Sequence, residues 1–153
     1  MGKFYLCSLK YQKMMDNWMD NWMENWMEKK VTEKYLIDAL SVTEAEARLI
    51  EEMTPYITGK FEVKSVVDTD YTEVLTSNDT RDDKWWKCKV SFVAFDEKSG
   101  KEKKTSCSYL VEAEDLKQAV CYLQDGMKGI LSDYVIESVS YSKIEEVFFY
   151  KKK

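Results

Sequence analysis

The feature of this sequence that most constrains its fold is an internal duplication. Residues 3–11 return in the same alternating pattern at 84–92, and Tyr-Leu-Ile-Asp-Ala at 35–39 returns as Tyr-Leu-Val-Glu-Ala at 109–113. Internal repeats are informative because each copy folds into the same supersecondary motif. We therefore expect the 153 residues to form two structurally equivalent halves.

The spacing of matched residues locates an insertion in the first copy. Cys7 and Cys88 are 81 positions apart, whereas Tyr35 and Tyr109 are only 74 apart. The first copy therefore holds seven extra residues between its first two segments, and they fall within residues 14–28. This tract carries the motif Asp/Glu-Asn-Trp-Met three times, where the second copy has only a short turn.

The inserted tract is predicted to form an amphipathic helix over residues 14–28. A helix separates the tryptophans and methionines from the acidic residues, whereas a strand places tryptophans and acids on the same face. Because these apolar residues are common anchors at interfaces, they form a candidate surface for a protein partner or for self-association. Its members are Trp18, Trp22, Trp26, Met19, Met23 and Met27. The open alternative is a tandem expansion that packs on its own body or merely self-associates.

Each copy has the pattern of two strands, a helix, a strand and a short final strand. Apolar and polar residues alternate in the first two segments, as in strands with one buried face. The apolar spacing then becomes three or four over 42–56 and 116–130, which predicts a helix packed on a sheet. Both helices begin with a capping box, opened by Ser41 and Asp115. The predicted core comprises Tyr5, Cys7, Leu9, Leu49, Met53, Trp86, Cys88, Val90, Leu123 and Met127.

These patterns predict an α+β fold made of two ββαβ(β) repeats. Repeat one spans residues 3–76, repeat two spans 84–150, and residues 77–83 form a polar link. We expect one helix per repeat against antiparallel strands, with the repeats related by a pseudo-twofold axis. Whether the strands form one continuous sheet or two is left open. A lone half buries too little apolar surface to be stable, so we expect residues 1–153 to form a single compact body.

Several segments resemble a known family of short uncharacterised proteins, a domain of unknown function. They are residues 30–40, 43–48, 96–100, 103–105 and 126–129. The resemblance covers almost the whole chain apart from the inserted tract. The family is typical of gut anaerobic bacteria and their mobile elements and phages. The resemblance therefore implies a small, cytoplasmic, phage-associated protein, and it carries over no catalytic residue.

The composition argues against most catalytic chemistry. The chain has no histidine, so it lacks Ser-His-Asp and Cys-His pairs as well as histidine metal sites. It also lacks a glycine-rich phosphate loop. The carboxylate pairs at 68/70 and 82/83 fit solvated turns, and Cys7 and Cys88 lie in the apolar series of their strands. We predict a protein that is not an enzyme and that binds no cofactor or metal.

The sequence also predicts a cytoplasmic location. Its four cysteines show no paired metal spacing and fit reduced thiols. No apolar run approaches the roughly 20 residues of a membrane span, and the first residues do not resemble a secretory signal. We therefore expect no membrane association.

Two functions follow from the surface features. The first is a non-catalytic protein-binding or regulatory module that uses the Trp/Met tract. The alternative is a nucleic-acid-binding accessory protein, in which lysines of the second hairpin contact phosphates and Trp85 stacks on a base. Its residues are Trp85, Lys98, Lys101, Lys103 and Lys104, with support from the lysines at 151–153. The net charge of −5 favours neither reading.

Overall fold

The computed structural model describes residues 3–16 and 26–149, with side chains for 3–12 and 30–149. Within these residues the protein is α+β, with two four-stranded sheets and one helix in each half of the chain, which confirms the predicted class. The elements in chain order are β1 (Lys3–Asp16), β2 (Trp26–Ala39), α1 (Val42–Met53), β3 (Phe61–Asp68), β4 (Tyr71–Leu75), β5 (Lys84–Asp96), β6 (Lys101–Ala113), α2 (Leu116–Gly126), β7 (Asp133–Ser142) and β8 (Glu146–Phe148).

The two repeats exchange their final strands. The first sheet has the order β3-β1-β2-β8, and the second has the equivalent order β4-β6-β5-β7. β4 belongs to the first repeat but pairs in parallel with β6, while β8 belongs to the second repeat but pairs in parallel with β2. The chain accordingly divides into two compact units, one formed by residues up to Thr69 with those from Ile144, the other by Asp70–Lys143. The expectation of one compact body stays a prediction.

The strand registers of the two sheets are the same. Cys7 lies opposite Tyr35 in the first sheet, as Cys88 lies opposite Tyr109 in the second. The outer antiparallel strands, β3 and β7, both shift register at matching positions, after Ser8 in one sheet and after the equivalent lysine in the other. The duplication seen in the sequence is therefore a duplication of backbone pairing, down to the irregularities.

Both helices begin where the capping residues predict. The Ser41 hydroxyl accepts a hydrogen bond from the Glu44 backbone N–H at 3.1 Å, and the Asp115 carboxylate accepts one from Gln118 N–H at 2.8 Å. Each bond satisfies a donor that has no partner inside the helix. The helices end at Met53 and Gly126, a few residues earlier than expected.

Each helix covers one face of its own sheet. Leu49 of α1 and Leu123 of α2 are fully buried, against the apolar residues of β1–β2 and of β5–β6 respectively. Nine of the ten predicted core residues are buried. The tenth, Trp86, is half-buried, packs against the second core and donates its indole N–H to the Ala113 carbonyl at 3.2 Å.

The opposite faces of the sheets are also buried in part. Leu36 and Leu110 are fully buried, although each lies between two residues that face its helix. Successive side chains of a strand point to opposite faces, so these two leucines are buried on the face away from the helix. The alternating pattern predicts one buried face only, and it misses this second one.

Candidate functional site

The β1–β2 hairpin extends beyond the four-stranded part of its sheet. β3 pairs with β1 only as far as Tyr11, opposite Phe61, whereas the β1–β2 ladder continues until Asp16 lies opposite Trp26. We call this extension, residues 12–16 with 26–30, the first ribbon. Among the described residues no third strand pairs with it. A two-stranded ribbon is marginally stable alone, so its strands contribute little to the stability of the body.

The predicted helix over residues 14–28 is wrong at both of its ends. Residues 14–16 pair as a strand with residues 26–28, while residues 17–25 lie outside the described part of the chain. Extending a hairpin adds hydrogen bonds to an existing ladder, whereas a new helix must first form a costly nucleus. A four-residue repeat also drifts by about 40° per motif around a helix of 3.6 residues per turn, which spoils the apolar stripe.

Two of the six predicted partner-binding residues lie in this ribbon. Trp26 and Met27 begin β2, where their backbones pair with Asp16 and Met15. Their side chains lie outside the description, as do residues 17–25, which include the remaining four candidates: Trp18, Trp22, Met19 and Met23. Their role in binding stays a prediction.

The lysines of the alternative site gather at the end of the second hairpin. Lys98 lies in its turn and Lys101 begins β6, followed by Lys103 and Lys104, and all four are exposed. The turn is closed by Gly100, whose φ of 66° lies in the left-handed region and whose N–H bonds the Asp96 carbonyl at 2.8 Å. The lysines at 151–153 lie outside the described residues.

Trp85 does not belong to that lysine cluster, and its predicted exposure is wrong. The residue is only 6% exposed. It also lies at the other end of β5, eleven residues from Asp96, which is about 35 Å along an extended strand. Trp85 shares the partly buried second face with Leu110, since both alternate with residues that face α2. Burial of a large ring is favourable there, and a buried ring offers no stacking platform.

The first unit contains a cleft at the end of α1. We call it the aromatic cleft; it has a volume of about 280 Å³. The rings of Tyr35 and Phe148 stack in its wall with centroids 5.9 Å apart, and Tyr56, which is 80% exposed, stands at its rim. β8, the exchanged strand, supplies Phe148. The lining residues are Tyr11, Glu33, Tyr35, Met53, Tyr56, Ile57, Glu146 and Phe148.

Carboxylates give the aromatic cleft a negative potential. Glu33 is half-buried and accepts a hydrogen bond from the Tyr35 hydroxyl at 3.1 Å. Burial, followed by the neighbouring carboxylates of Glu33 and Glu145, raises the pKa of Tyr11 to about 12. Burial and the same two carboxylates also raise the pKa of Tyr35. The two phenols therefore stay protonated and neutral at neutral pH.

One residue in the sequence, Glu33, indicates this cleft. Glu33 interrupts the apolar series of β2, standing between Val31 and Tyr35 on the face that packs against α1. The second copy has Cys107 at the matching position. Charged residues are rarely buried in a core, so Glu33 within this apolar series suggests a binding site rather than a packing position.

A side chain on each helix holds the segment that follows an exchanged strand. In the first unit the Arg48 guanidinium donates to the carbonyl of Phe149 at 2.7 Å and also to the carbonyl of Asp38. In the second unit the matching residue is Tyr122, whose hydroxyl donates to the Asp82 carboxylate at 2.7 Å. At one equivalent helix position, a guanidinium in the first unit and a phenol in the second therefore each bind the segment after an exchanged strand.

Asp82 was expected in a solvated turn, and for this residue the expectation is wrong. Its carboxylate is buried and also accepts hydrogen bonds from the Ser77 hydroxyl and from the Glu114 N–H, the latter at 2.9 Å. These bonds, with that of Ser77 the largest contribution, lower the pKa of Asp82. Asp83 does fit the expectation, because it is exposed and pairs with Lys84 at 3.0 Å. The link between repeats is thus anchored to the second unit through Asp82.

The buried cysteines have the environment of core residues. Burial raises the pKa of both Cys7 and Cys88 to about 11, with Glu46 adding to the effect at Cys7. Little nucleophilic thiolate forms at neutral pH under these conditions. Among the side chains at 3–12 and 30–149, no cluster of three or more acidic or cysteine groups is placed to hold a metal ion.

Fold and sites together define a tandem-repeat α+β protein with one extended hairpin and one acidic aromatic cleft. The chain belongs to the family described as Domain of unknown function (DUF4494), whose model matches residues 3–150 and thus both repeats. No curated protein and no solved structure matches the chain. In the part of the chain that the structure describes, the helices are too short or too polar to cross a membrane.

Proposed function

We propose that this protein is a non-catalytic protein-binding or regulatory module whose binding element is the Trp/Met tract. The observation that carries the proposal is the first ribbon. Its strands leave the four-stranded sheet after Tyr11 and remain paired as far as Asp16 and Trp26. Both ends of the tract, residues 14–16 and 26–28, therefore lie in strands that the body does not require for its own sheet.

The chemistry of the tract suits protein recognition. Three tryptophans provide large apolar surfaces of the kind that dominate binding energy at interfaces, and the methionines between them adapt to irregular surfaces. The acidic residues of the motif keep the tract hydrated in the absence of a partner. The occupant is a protein partner or a second copy of this chain.

The nucleic-acid alternative keeps one favourable observation, the four exposed lysines around the second turn. It has lost its stacking residue, because Trp85 is buried. Phosphate contact by lysines alone gives sequence-independent and strongly salt-dependent binding. We therefore rank this function second.

The proposed setting is the cytoplasm of a gut anaerobe, with an association to phages or other mobile elements. This setting is what the family resemblance noted in the sequence implies. The free thiols of all four cysteines also fit a reducing compartment.

The proposal is tested with the triple variant Trp18→Ala, Trp22→Ala and Trp26→Ala. Sedimentation velocity measures self-association, and affinity capture followed by mass spectrometry measures partner binding. We expect the variant to bind at least about thirtyfold more weakly, because a single interface tryptophan often contributes 2 kcal/mol or more. The matched control replaces Lys98, Lys101, Lys103 and Lys104 with alanine and should bind like the parent.

A second measurement separates the two functions. A labelled single-stranded oligonucleotide is titrated at low and at physiological salt with the parent and with the lysine variant. We expect no binding that depends on those lysines. Tight binding at low salt that weakens steeply with added salt and disappears in the lysine variant would favour the nucleic-acid function instead. Unchanged association of the tryptophan variant would contradict the protein-binding function.

A further inference from the structure

The aromatic cleft combines features that attract an organic cation. Four aromatic residues line it, Tyr11, Tyr35, Tyr56 and Phe148, and aromatic rings hold cations at ring-centroid distances up to about 6 Å. The carboxylates of Glu33 and Glu146 line the same cleft, and Glu145 lies close enough to raise the pKa of both Tyr11 and Tyr35. An anion would be repelled, and a neutral apolar ligand would leave the carboxylates without a partner.

The carboxylates of the cleft form no ion pair within the described part of the protein. Among the described side chains, no lysine or arginine lies within ion-pair distance of Glu33, Glu145 or Glu146. Glu33 is half-buried and its hydrogen bond comes from a neutral phenol. A partly buried carboxylate without a counter-ion favours binding of a positive group from outside.

We propose that the aromatic cleft binds an organic ammonium group, such as a methylated lysine side chain or a small quaternary amine. The volume of about 280 Å³ is at the lower limit of ligand pockets and suits one side chain or one head group. Aromatic walls favour a bulky, weakly hydrated ammonium over a metal ion, which prefers several oxygen ligands. This site uses none of residues 14–28, so its test is independent of the Trp/Met tract.

The second unit provides an internal control, because it has the same backbone without the same side chains. At the positions of Tyr11, Glu33 and Phe148 it has Phe92, Cys107 and Leu75. The rim residue Tyr56 likewise has an aliphatic residue as its counterpart in the second copy. The second unit therefore lacks the Glu33 carboxylate and two of the four aromatic rings, while Phe92 and Tyr109 remain. The proposal requires one ammonium site per chain, in the first unit.

The test is an NMR titration with tetramethylammonium chloride of protein labelled at tyrosine. We expect saturable shifts at Tyr11, Tyr35 and Tyr56, and none at Tyr109 in the second unit. Sodium chloride at equal ionic strength should produce no such shifts. Glu33→Gln should weaken binding about tenfold, as expected for loss of a close charge in a partly buried site. Glu73→Gln, at the position in the second unit that matches Glu146, is the control and should bind like the parent.

Variants of Tyr56 separate a loss of binding from a loss of folding. The residue is 80% exposed, so Tyr56→Ala should fold normally, as judged by the dispersion of the NMR spectrum. We expect it to weaken binding about fivefold, since one cation–π contact contributes on the order of 1 kcal/mol. Tyr56→Phe keeps the ring and should restore binding.

Two further probes distinguish the source of the ammonium group. A peptide with one trimethyllysine, compared with its norleucine analogue, represents a protein side chain, and choline represents a free amine. Preference for either one supports the proposal and identifies its source. Absence of saturable shifts with all three ammonium probes would overturn it. So would equal shifts at Tyr109, or unchanged binding by folded Glu33→Gln.

Discussion

The two hairpins of this protein start from one register and end differently. In the first, Lys13 lies opposite Lys29 and the ladder continues into the Trp/Met tract. In the second, the matching pair is Ala94 and Lys103, and a turn closes the hairpin after two more pairs. The body of the sheet is the same in both cases. The comparison indicates that positions shared by the copies build the fold, whereas positions that differ modify the surface.

The same distinction holds elsewhere in the two units. Both copies share a buried cysteine in the central strand, a buried leucine in the helix and a capping residue before it. They differ at Glu33 and Cys107, and at Arg48 and Tyr122. The first unit therefore holds the first ribbon and the aromatic cleft, while the second unit holds the four exposed lysines of the alternative site. The second unit is closer to the bare scaffold.

The largest effect is expected from matched substitutions in the two cores. Leu49→Ala and Leu123→Ala each remove a fully buried side chain and should each lower the free energy of unfolding by about 2–5 kcal/mol. Urea denaturation measures both. Costs that agree between the two variants would strengthen the equivalence of the units. A variant as stable as the parent would show that its helix does not pack as described.

A smaller loss of stability is expected from substitution of Asp82, which binds the Tyr122 hydroxyl of α2. Asp82→Asn replaces a carboxylate that accepts three hydrogen bonds. It should lower the free energy of unfolding by about 1–3 kcal/mol at neutral pH. The exposed neighbour gives the control, Asp83→Asn, which should cost far less.

The effect of Asp82 should depend on pH in a defined direction. Its pKa is lowered in the folded protein, so the carboxylate stabilises the fold above its ordinary pKa of 3.8. This contribution is lost as the pH falls through the folded value. Urea denaturation at neutral and acidic pH should show the parent and Asp82→Asn converging in acid. A difference that stays constant would contradict the described hydrogen bonds.

The repeat pattern was sufficient to predict most of the body from sequence. Alternation located the strands, apolar spacing located the helices, and Ser41 and Asp115 located their first turns. Each of these signals is local, so one chain segment is enough to reveal it.

The exchange of final strands was not predictable in this way. β4 and β8 are short and share Glu-Val at matching positions, so their patterns fit either sheet equally well. Which sheet a strand joins depends on the path of the chain rather than on its pattern. Trp85 shows the same limit, because its burial depends on a second covered face that alternation cannot reveal.

The candidate sites were predicted only in part. The Trp/Met tract stands out because it repeats, but its pattern predicted a helix, whereas residues 14–16 and 26–28 pair as strands. The aromatic cleft is assembled from segments far apart in sequence, including Phe148 from an exchanged strand. Glu33 was the one local sign of it.

The most direct test of the account replaces residues 14–28 with residues 95–102, the equivalent segment of the second copy. The exchange joins matched strand pairs, so it preserves the register of the first sheet. If residues 14–28 are an extension that the fold does not require, the melting temperature should change by less than about 2 °C. Self-association and partner capture should be lost. A variant that unfolds, or one that folds and still associates like the parent, would contradict the account.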